Sequence, residues 1–363
     1  MRRLIKKYVP TVFCVAISIL LLSAMLYLVA ICYTPFADFL NGTLGTAIRF
    51  LLAGLTGWLP FSLFELLLIC ILPLAVLFVI YLIRVKRDNR DRVRSIFSLL
   101  SVISLILSSY VFTLGVGYRT SPLSEKIGIE DVGNIEKEEL FYVTEILISE
   151  TNALAEGLTL QNGETVMPYK LSELCELLSD AFAELNGEYG VCDGFGGGVK
   201  PVLFSTVMSD AGITGIYSFF TGEANVNVEY PHYTLPFTAA HEMAHQRGVA
   251  RENEANFVAF LVCIGSSDEY IRYSGYLGML EYFLSAAYAT DREEYAELYS
   301  KISEVAISDM RAAAAVSRAH ADSLIGKIND RLNDGYLKFN GTDGVVSYGY
   351  AVRLTVGYYR KNA

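Results

Sequence analysis

The pentapeptide His241-Glu242-Met243-Ala244-His245 is the stretch of this 363-residue chain that says most about its fold. Side chains four residues apart lie on one face of an α-helix, so the two imidazoles can direct one nitrogen each at a single cation. Zn²⁺ accepts such nitrogens at about 2.0–2.1 Å. Glu242 is then placed to reach a water molecule rather than the cation. The pentapeptide therefore predicts a helix that carries a zinc site.

A third ligand is expected from the acidic residues that follow. Gly248 is a natural helix stop, and Arg-Glu-Asn-Glu-Ala-Asn at 251–256 opens a second apolar helical run. A straight helix would carry residue 252 about 10 Å beyond His245, so the chain must turn near Gly248 for a carboxylate to return to the cation. Glu252 and Glu254 are both candidates for that ligand.

The segment Glu252-x-x-Ala255-Asn256 resembles the Glu-x-x-Ala/Ser-Asp signature of the gluzincin peptidases. The resemblance implies that Glu252 binds zinc and that Asn256 forms a hydrogen bond to a ligand histidine. The chain departs from the signature in having Asn for Asp, and its separation between His245 and Glu252 is short. Glu254 therefore stays open as the alternative third ligand.

Three apolar runs in the first third of the chain are long enough to span a bilayer. They cover about residues 9–32, 60–83 and 95–117, and a hydrocarbon core of about 30 Å needs about 20 helical residues. The first run is longer than the apolar core of a typical signal peptide, so we expect it to be retained. Residues 1–117 are thus predicted to be a membrane anchor with three transmembrane helices, and residues 118–363 a separate domain.

Basic residues predict the orientation of this anchor. The tail before the first run contains four Lys or Arg residues, and the link between the second and third runs contains six. The link between the first and second runs contains only Arg49. By the positive-inside rule the N-terminus is cytoplasmic, and residues 118–363 lie on the extracytoplasmic side of the cell membrane.

Charge is distributed unevenly between the two parts. Residues 1–117 contain 11 basic and 4 acidic residues, whereas residues 118–363 contain 18 basic and 35 acidic residues. Binding to a phosphate backbone needs a clustered basic surface. We therefore expect the lipid bilayer and a peptide or protein substrate as partners, and no nucleic acid.

The cysteines give little structural information. Three of the six lie beyond residue 117, and an odd number does not suit a disulfide framework. A Cys175–Cys192 bridge remains one alternative, and Cys263 has the character of a small core residue.

Periodicity predicts a mostly helical domain with a small sheet. Helices are expected at about residues 137–159, 168–186, 268–289, 291–306 and 307–332. β-prone runs at 201–208, 215–220 and 223–230 precede the motif helix. The predicted fold class is an α+β, mostly helical, zincin-like domain that follows three transmembrane helices. Glu223, Ala224 and Asn225 are expected to bind substrate at a sheet edge, where an extended peptide would add as a strand.

Several segments resemble one bacterial family of membrane proteins that has an HExxH motif and no assigned function. They are Phe-Phe-Thr-Gly-Glu-Ala-Asn-Val-Asn at 219–227, Pro-Phe-Thr-Ala-Ala-His-Glu-Met-Ala-His-Gln-Arg-Gly at 236–248, Tyr-Leu-Lys at 336–338 and Asp-Gly-Val-Val-Ser-Tyr-Gly at 343–349. The resemblance spans nearly the whole chain. It implies a three-helix anchor and a gluzincin-like domain, without indicating a substrate.

These features together predict a zinc metallopeptidase anchored in the membrane. Zn²⁺ would be held by His241, His245 and Glu252, and Glu242 would be the catalytic base. A second interpretation is a zincin-like sensor or binding module at the cell surface that does not cut its ligand. An intramembrane protease is excluded by position, because the histidine pair lies far beyond the last apolar run.

Overall fold

The computed structural model describes residues 8–84, 89–129, 133, 135–190, 197–340 and 349–362. The chain divides into two compact units. Unit 1 comprises Met1–Thr120 and Ser218–Glu223, and unit 2 comprises Ser121–Tyr217 and Ala224–Ala363. The main boundary falls three residues beyond the end predicted for the membrane anchor. The short segment Ser218–Glu223 joins unit 1 through contacts between residues distant in sequence, which periodicity does not reveal.

Unit 1 is built from helices. In chain order they are α1 (Thr11–Cys32), α2 (Thr34–Leu40), a π-helical turn (Asn41–Gly45), α3 (Thr46–Gly57), α4 (Leu63–Arg84), α5 (Asn89–Thr113) and a 3₁₀ segment (Gly115–Arg119). Helices α1, α4 and α5 are long and apolar enough to cross a membrane, which confirms the prediction of three such helices. Helix α5 ends before the predicted residue 117, because the backbone leaves α-helical geometry at Leu114 and continues as the 3₁₀ segment.

The turn Ser218–Glu223 is held inside unit 1 by hydrogen bonds. The hydroxyl groups of Ser109 and Thr113 donate to the carbonyl oxygen of Phe219 at 2.7 and 2.9 Å. The carboxylate of Glu223 accepts the first two backbone N–H groups of α4, at 3.0 and 2.8 Å. These N–H groups have no partner within their own helix, so an acidic side chain at this position stabilises the start of α4.

Unit 2 is mostly helical and contains two small sheets. Its elements are α6 (Leu123–Ile127), α7 (Lys137–Ala155), β1 (Leu160–Gln161), β2 (Glu164–Thr165), α8 (Leu171–Tyr189), β3 (Val199–Pro201), α9 (Ser205–Asp210), β4 (Gly215–Ser218), β5 (Glu223–Val226), α10 (Thr234–Gln246), α11 (Glu252–Gly265), α12 (Glu269–Thr290), α13 (Arg292–Ser300), α14 (Glu304–His320), α15 (Leu324–Phe339) and α16 (Gly349–Asn362). The last residue of β4 and the first residue of β5 belong to the segment Ser218–Glu223, which is assigned to unit 1. A mostly helical protein with a small sheet is therefore confirmed.

Several predicted elements differ from the structure. The helix predicted at 291–306 is interrupted, since α13 ends at Ser300 and α14 begins at Glu304, and the strand predicted at 223–230 ends at Val226. The segment 307–332 was predicted as one helix, but α14 ends at His320 and α15 begins at Leu324. The strand predicted at 201–208 is replaced by β3, which ends at Pro201, and by the short helix α9. The N–H of Val202 still donates to the carbonyl of Val226 at 3.0 Å, and the chain then turns into α9.

The three-stranded sheet has the order β3-β5-β4. Strand β3 runs parallel to β5, with Val199 opposite Ala224 and Pro201 opposite Val226. Strand β5 is therefore central, and among the described residues β4 pairs with a strand on one side only. This corrects the prediction that Glu223, Ala224 and Asn225 form the sheet edge, because both sides of their strand are already paired.

Helix α10 carries the histidine pair and packs against α11 and α12 in the core of unit 2. Ala239, Ala240 and Ala244 on α10 are completely buried, and their small side chains permit this close packing. Phe257 on α11 and Phe283 on α12 are also completely buried. The core therefore fixes the orientation of the motif helix.

Two sequence-based predictions fall outside the described residues. One is the alternative Cys175–Cys192 disulfide, because Cys192 is not among the described residues. Residues 343–348, which carry part of the family resemblance, are the other.

Candidate metal centre

The motif helix α10 ends in a turn that the sequence predicted at Gly248. Gly248 has a φ of 97°, a conformation that L side chains rarely adopt. Its N–H donates to the carbonyl of His245, and the N–H of Val249 donates to the carbonyl of Ala244, both at 3.0 Å. This pair of hydrogen bonds is the Schellman motif, which ends a helix and reverses the chain.

The same turn orients His245. The Nδ1 atom of His245 lies 2.7 Å from the carbonyl oxygen of Val249. Since a carbonyl oxygen can only accept, Nδ1 carries the proton and the lone pair of a neutral ring is on Nε2. The helix-ending turn therefore selects the tautomer that can bind a metal through Nε2.

Three potential ligand atoms converge at this point. The Nε2 atoms of His241 and His245 are 3.0 Å apart. One carboxylate oxygen of Glu252 lies 3.2 Å from the Nε2 of His241 and 3.5 Å from that of His245. Ligands about 2.0–2.1 Å from a tetrahedral Zn²⁺ are about 3.3–3.4 Å from each other. The spacing of the three atoms fits this geometry.

Glu252 reaches the histidines because it is the first residue of α11. The turn at Gly248 and the short extended link after it bring the start of α11 back beside the histidine face of α10. The other candidate, Glu254, is engaged elsewhere. Its carboxylate accepts the backbone N–H of Leu123 at 2.9 Å and a guanidinium N–H of Arg251 at 2.8 Å. The structure thus brings Glu252, and not Glu254, to the two histidines.

Glu242 is buried beside these three residues. Its side chain lies on α10 and accepts the backbone N–H of Tyr217 on β4. Burial raises the pKa of Glu242 to about 7, against the opposing effect of the two nearby histidines. A carboxyl group that titrates near neutral pH can both accept and donate a proton, as a general base and acid must.

The cluster favours a positive charge. Burial alone would lower the pKa of His245, but the carboxylates of Glu252 and Glu242 raise it to about 9. Burial alone would raise the pKa of Glu252, yet the two histidines hold it well below its ordinary value. Two carboxylates beside two imidazoles in a buried place are stabilised by a proton or by a cation.

Strand β4 passes directly over Glu242. A Cβ atom at Gly215 would lie 2.5 Å from a carboxylate oxygen of Glu242 and 2.8 Å from the side chain of Thr238. The ring of Tyr217, also on β4, is stacked on that of His245 with centroids 6.5 Å apart. Sequence reasoning missed Gly215, because one glycine among 29 carries no local signal.

The residues predicted to bind substrate have other partners. Glu223 caps α4 in unit 1, Ala224 is fully buried, and the side-chain amide of Asn225 donates to the carbonyl of Ile216 at 3.2 Å. Strand β4 lies beside Glu242, and the N–H of Tyr217 on this strand donates to the Glu242 carboxylate.

The hydrogen bond predicted from Asn256 to a ligand histidine is not seen among the described residues. The Nδ2 atom of Asn256 and the Nδ1 atom of His241 are both buried and make no hydrogen bond within the described part of the chain. Buried polar atoms without a partner are uncommon. His241, unlike His245, therefore has no hydrogen-bond partner at Nδ1 among the described residues.

The other two histidines lie apart from the cluster. His232 accepts the backbone N–H of Met167 at 3.3 Å. His320 pairs with Asp210 at 2.8 Å. Within the described ranges, the group of side chains that could hold a metal ion is formed by His241, His245 and Glu252.

Comparison with known proteins gives one family and no function. The sequence matches no curated protein and no solved structure. The family model "Protein of unknown function (DUF3810)" matches residues 43–356, which covers most of unit 1 and nearly all of unit 2. The chain therefore belongs to the DUF3810 family of proteins of unknown function.

Proposed function

We propose that this protein is a membrane-anchored, zinc-dependent metallopeptidase that hydrolyses peptide bonds of extracytoplasmic proteins or peptides. The observation that carries the proposal is the convergence of His241, His245 and Glu252 at 3.0–3.5 Å beside a buried carboxyl group, Glu242. Two neutral imidazoles and a carboxylate, with a fourth position left for water, are the ligand set of many catalytic zinc sites. When bound there, Zn²⁺ would supply Lewis acidity towards water and towards a peptide carbonyl.

Glu242 supplies the proton transfer. Its side chain lies beside the ligand atoms without joining them, so it can take the proton of the attacking water and pass it to the leaving amine. Burial raises the pKa of Glu242 above its ordinary value, which makes the acid form more accessible for the second transfer. The charge that develops during the reaction stays within a buried site, where electrostatic interactions are strong.

Strand β4 supplies a place for the substrate backbone. The N–H of Asn227, just beyond β5, donates to the carbonyl of Thr214 at 2.8 Å, which places the backbone groups of Thr214 towards β5. Because successive residues of a strand alternate, the backbone groups of Gly215 point away from β5. An extended peptide can pair there as an additional strand, which holds its scissile bond near Glu242.

The location of the site rests on the sequence. The three apolar helices precede Ser121, and the distribution of Lys and Arg favours a cytoplasmic N-terminus. Unit 2 would then face the exterior of the cell. The substrate is expected to be an extracytoplasmic polypeptide.

The test uses the full chain in nanodiscs, as wild type and as Glu242→Gln. Zinc content is measured by mass spectrometry, and cleavage is followed with a peptide library. We expect both proteins to bind one zinc ion, and we expect Glu242→Gln to cleave at least about 100-fold more slowly, because a general base is worth that much. The substitution keeps the shape of the side chain and removes its basicity.

Each other result has a defined meaning. Zinc in both proteins without cleavage by the wild type would favour the alternative of a zincin-like sensor or binding module. Equal cleavage by the two proteins would refute the role of Glu242. An absence of zinc from both would refute the metal centre itself.

A further inference from the structure

Helix α15 has its apolar side facing outward. Leu324, Ile325, Ile328 and Leu332 are between 45 and 77% exposed. At about 100° per residue, these four side chains lie within an arc of about 100° on one side of the helix. A surface helix of a globular protein normally turns such a side towards the core.

The opposite side of α15 makes the contact with the rest of unit 2. The side-chain amide of Asn329 donates to the carbonyl of Ala211 at 3.0 Å, next to the end of α9. A Cβ atom at Gly326 would lie 2.9 Å from the carbonyl oxygen of Asp210. Gly326 and the side-chain amide of Asn329 thus face the rest of unit 2. These contacts orient the apolar side of α15 outward.

Basic residues border the apolar side. On the helical wheel, Lys327 and Arg331 both lie within about 60° of Leu324, next to the edge of the apolar arc. Asp330 lies about 120° from Leu324. Long basic side chains can lay their apolar stems along such a border while the charged ends reach a polar layer. The arrangement complements the phosphate groups of a lipid headgroup layer.

Other exposed apolar side chains lie on and just before α9, which packs against α15. Phe204 and Val207 are 55 and 50% exposed, and Leu203 is 80% exposed. Large exposed apolar surfaces on a folded domain usually mark a site of interaction.

The occupant we infer is lipid. The same chain has three helices long and apolar enough to cross a membrane, so their insertion would tether unit 2 to a bilayer. A tether of this kind gives a high effective concentration, so even a small apolar surface suffices for binding. The stretch from Leu324 to Leu332 is only about 12 Å long at 1.5 Å per residue. That is short for a stable protein dimer, which buries about 800 Å² on each partner.

We propose that the apolar side of α15 lies in the interfacial layer of the bilayer, with Lys327 and Arg331 at the level of the lipid phosphates. This surface is separate from the metal centre. The proposal does not depend on the peptidase activity.

The test places a single tryptophan on the helix. The chain has one tryptophan, Trp58. All variants carry Trp58→Phe, so that the introduced tryptophan is the only one. Ile328→Trp then reports on the centre of the apolar side. Leu160→Trp is the matched control, because Leu160 is an aliphatic residue of unit 2 with 47% exposure. The full chain is placed in nanodiscs of phosphatidylcholine, with or without brominated acyl chains.

We expect a blue shift of the Ile328→Trp emission and a loss of intensity in the brominated lipid. Leu160→Trp should show neither. Equal emission of both proteins, without quenching, would overturn the proposal. A blue shift that brominated lipid does not quench would also overturn it, since it would indicate a protein partner such as a second copy.

A second measurement tests the basic border. In nanodiscs that contain anionic phosphatidylglycerol, Lys327→Gln with Arg331→Gln should lower the bound-to-free ratio relative to Ile328→Trp alone, by roughly fivefold for each charge. Both proteins share the acidic remainder of unit 2, so the difference between them reports on the two basic residues. Equal quenching of the two proteins in this lipid would refute the role of the two residues. Unchanged zinc content and helical circular dichroism serve as the controls for folding.

Discussion

Gly215→Ala is the substitution that tests the candidate active site most directly. The new Cβ atom would lie 2.5 Å from a carboxylate oxygen of Glu242, 2.7 Å from its Cγ atom and 2.8 Å from the Cγ2 atom of Thr238. Real Cβ atoms essentially never show separations under 3.0 Å, so the side chain of Glu242 or strand β4 must move. The three nearest atoms belong to Glu242 and Thr238, and to none of the three proposed zinc ligands.

The expected effect on catalysis is large. Moving the base away from the reacting water by about 1 Å costs on the order of 100-fold in turnover. Overpacking of a well-packed place also costs about 1–3 kcal/mol of folding stability. We therefore expect kcat to fall about 100-fold while the protein still binds zinc.

The assay compares zinc content, thermal unfolding and peptide cleavage for the wild type and Gly215→Ala, with the full chain in nanodiscs. Gly187→Ala is the control, because a Cβ atom at Gly187 on α8 meets no atom within 4 Å. It should leave all three measurements close to those of the wild type. Wild-type turnover by Gly215→Ala would refute the role assigned to Glu242 and β4. Loss of zinc in Gly215→Ala would show that the ligands depend on this strand.

Three further predictions address separate parts of the molecule. Glu252→Gln should lose most of its zinc affinity and Glu254→Gln should keep it, as measured by competition with a chromogenic chelator; the reverse result would make Glu254 the ligand. Glu223→Ala should lower the stability of unit 1 by about 1 kcal/mol in thermal unfolding, because two N–H groups of α4 lose their acceptor; an unchanged midpoint would contradict this. The hydrogen bond to Asp210 raises the pKa of His320 above its ordinary value, so the stability from this pair is present at low pH and is lost as the pH rises through that pKa. Asp210→Asn should lower the pKa of His320 in an NMR titration, and an unchanged value would show that the pair does not form.

Much of the candidate site could be predicted because its residues are close in sequence. His241 and His245 are one helical turn apart, and the turn at Gly248 is encoded by a residue type that accepts a positive φ. The choice between Glu252 and Glu254 could not be made in this way. It depends on Leu123 and Arg251, which occupy the carboxylate of Glu254. Leu123 lies 131 residues away in the chain.

The sheet edge shows the limit of local reasoning more clearly. The run at 223–226 has the alternating pattern of a strand, and it does form β5. Which strand is central depends on pairing with β3, whose register links Val199 to Ala224. Alternation within a strand carries no information about its neighbours, so the predicted substrate edge was placed on β5, whose two sides are both paired.

The sequence by itself determined the three apolar helices, the mostly helical domain and the histidine pair, because each depends on residue type and spacing within a single element. Only the tertiary structure decided that Glu254 is engaged by Leu123 and Arg251, that Gly215 leaves room for Glu242, that Glu223 caps a helix of unit 1, and that the apolar side of α15 faces outward. These features depend on contacts between segments distant in the chain. Such contacts are selected by how whole elements pack, and the local pattern of residues does not specify them.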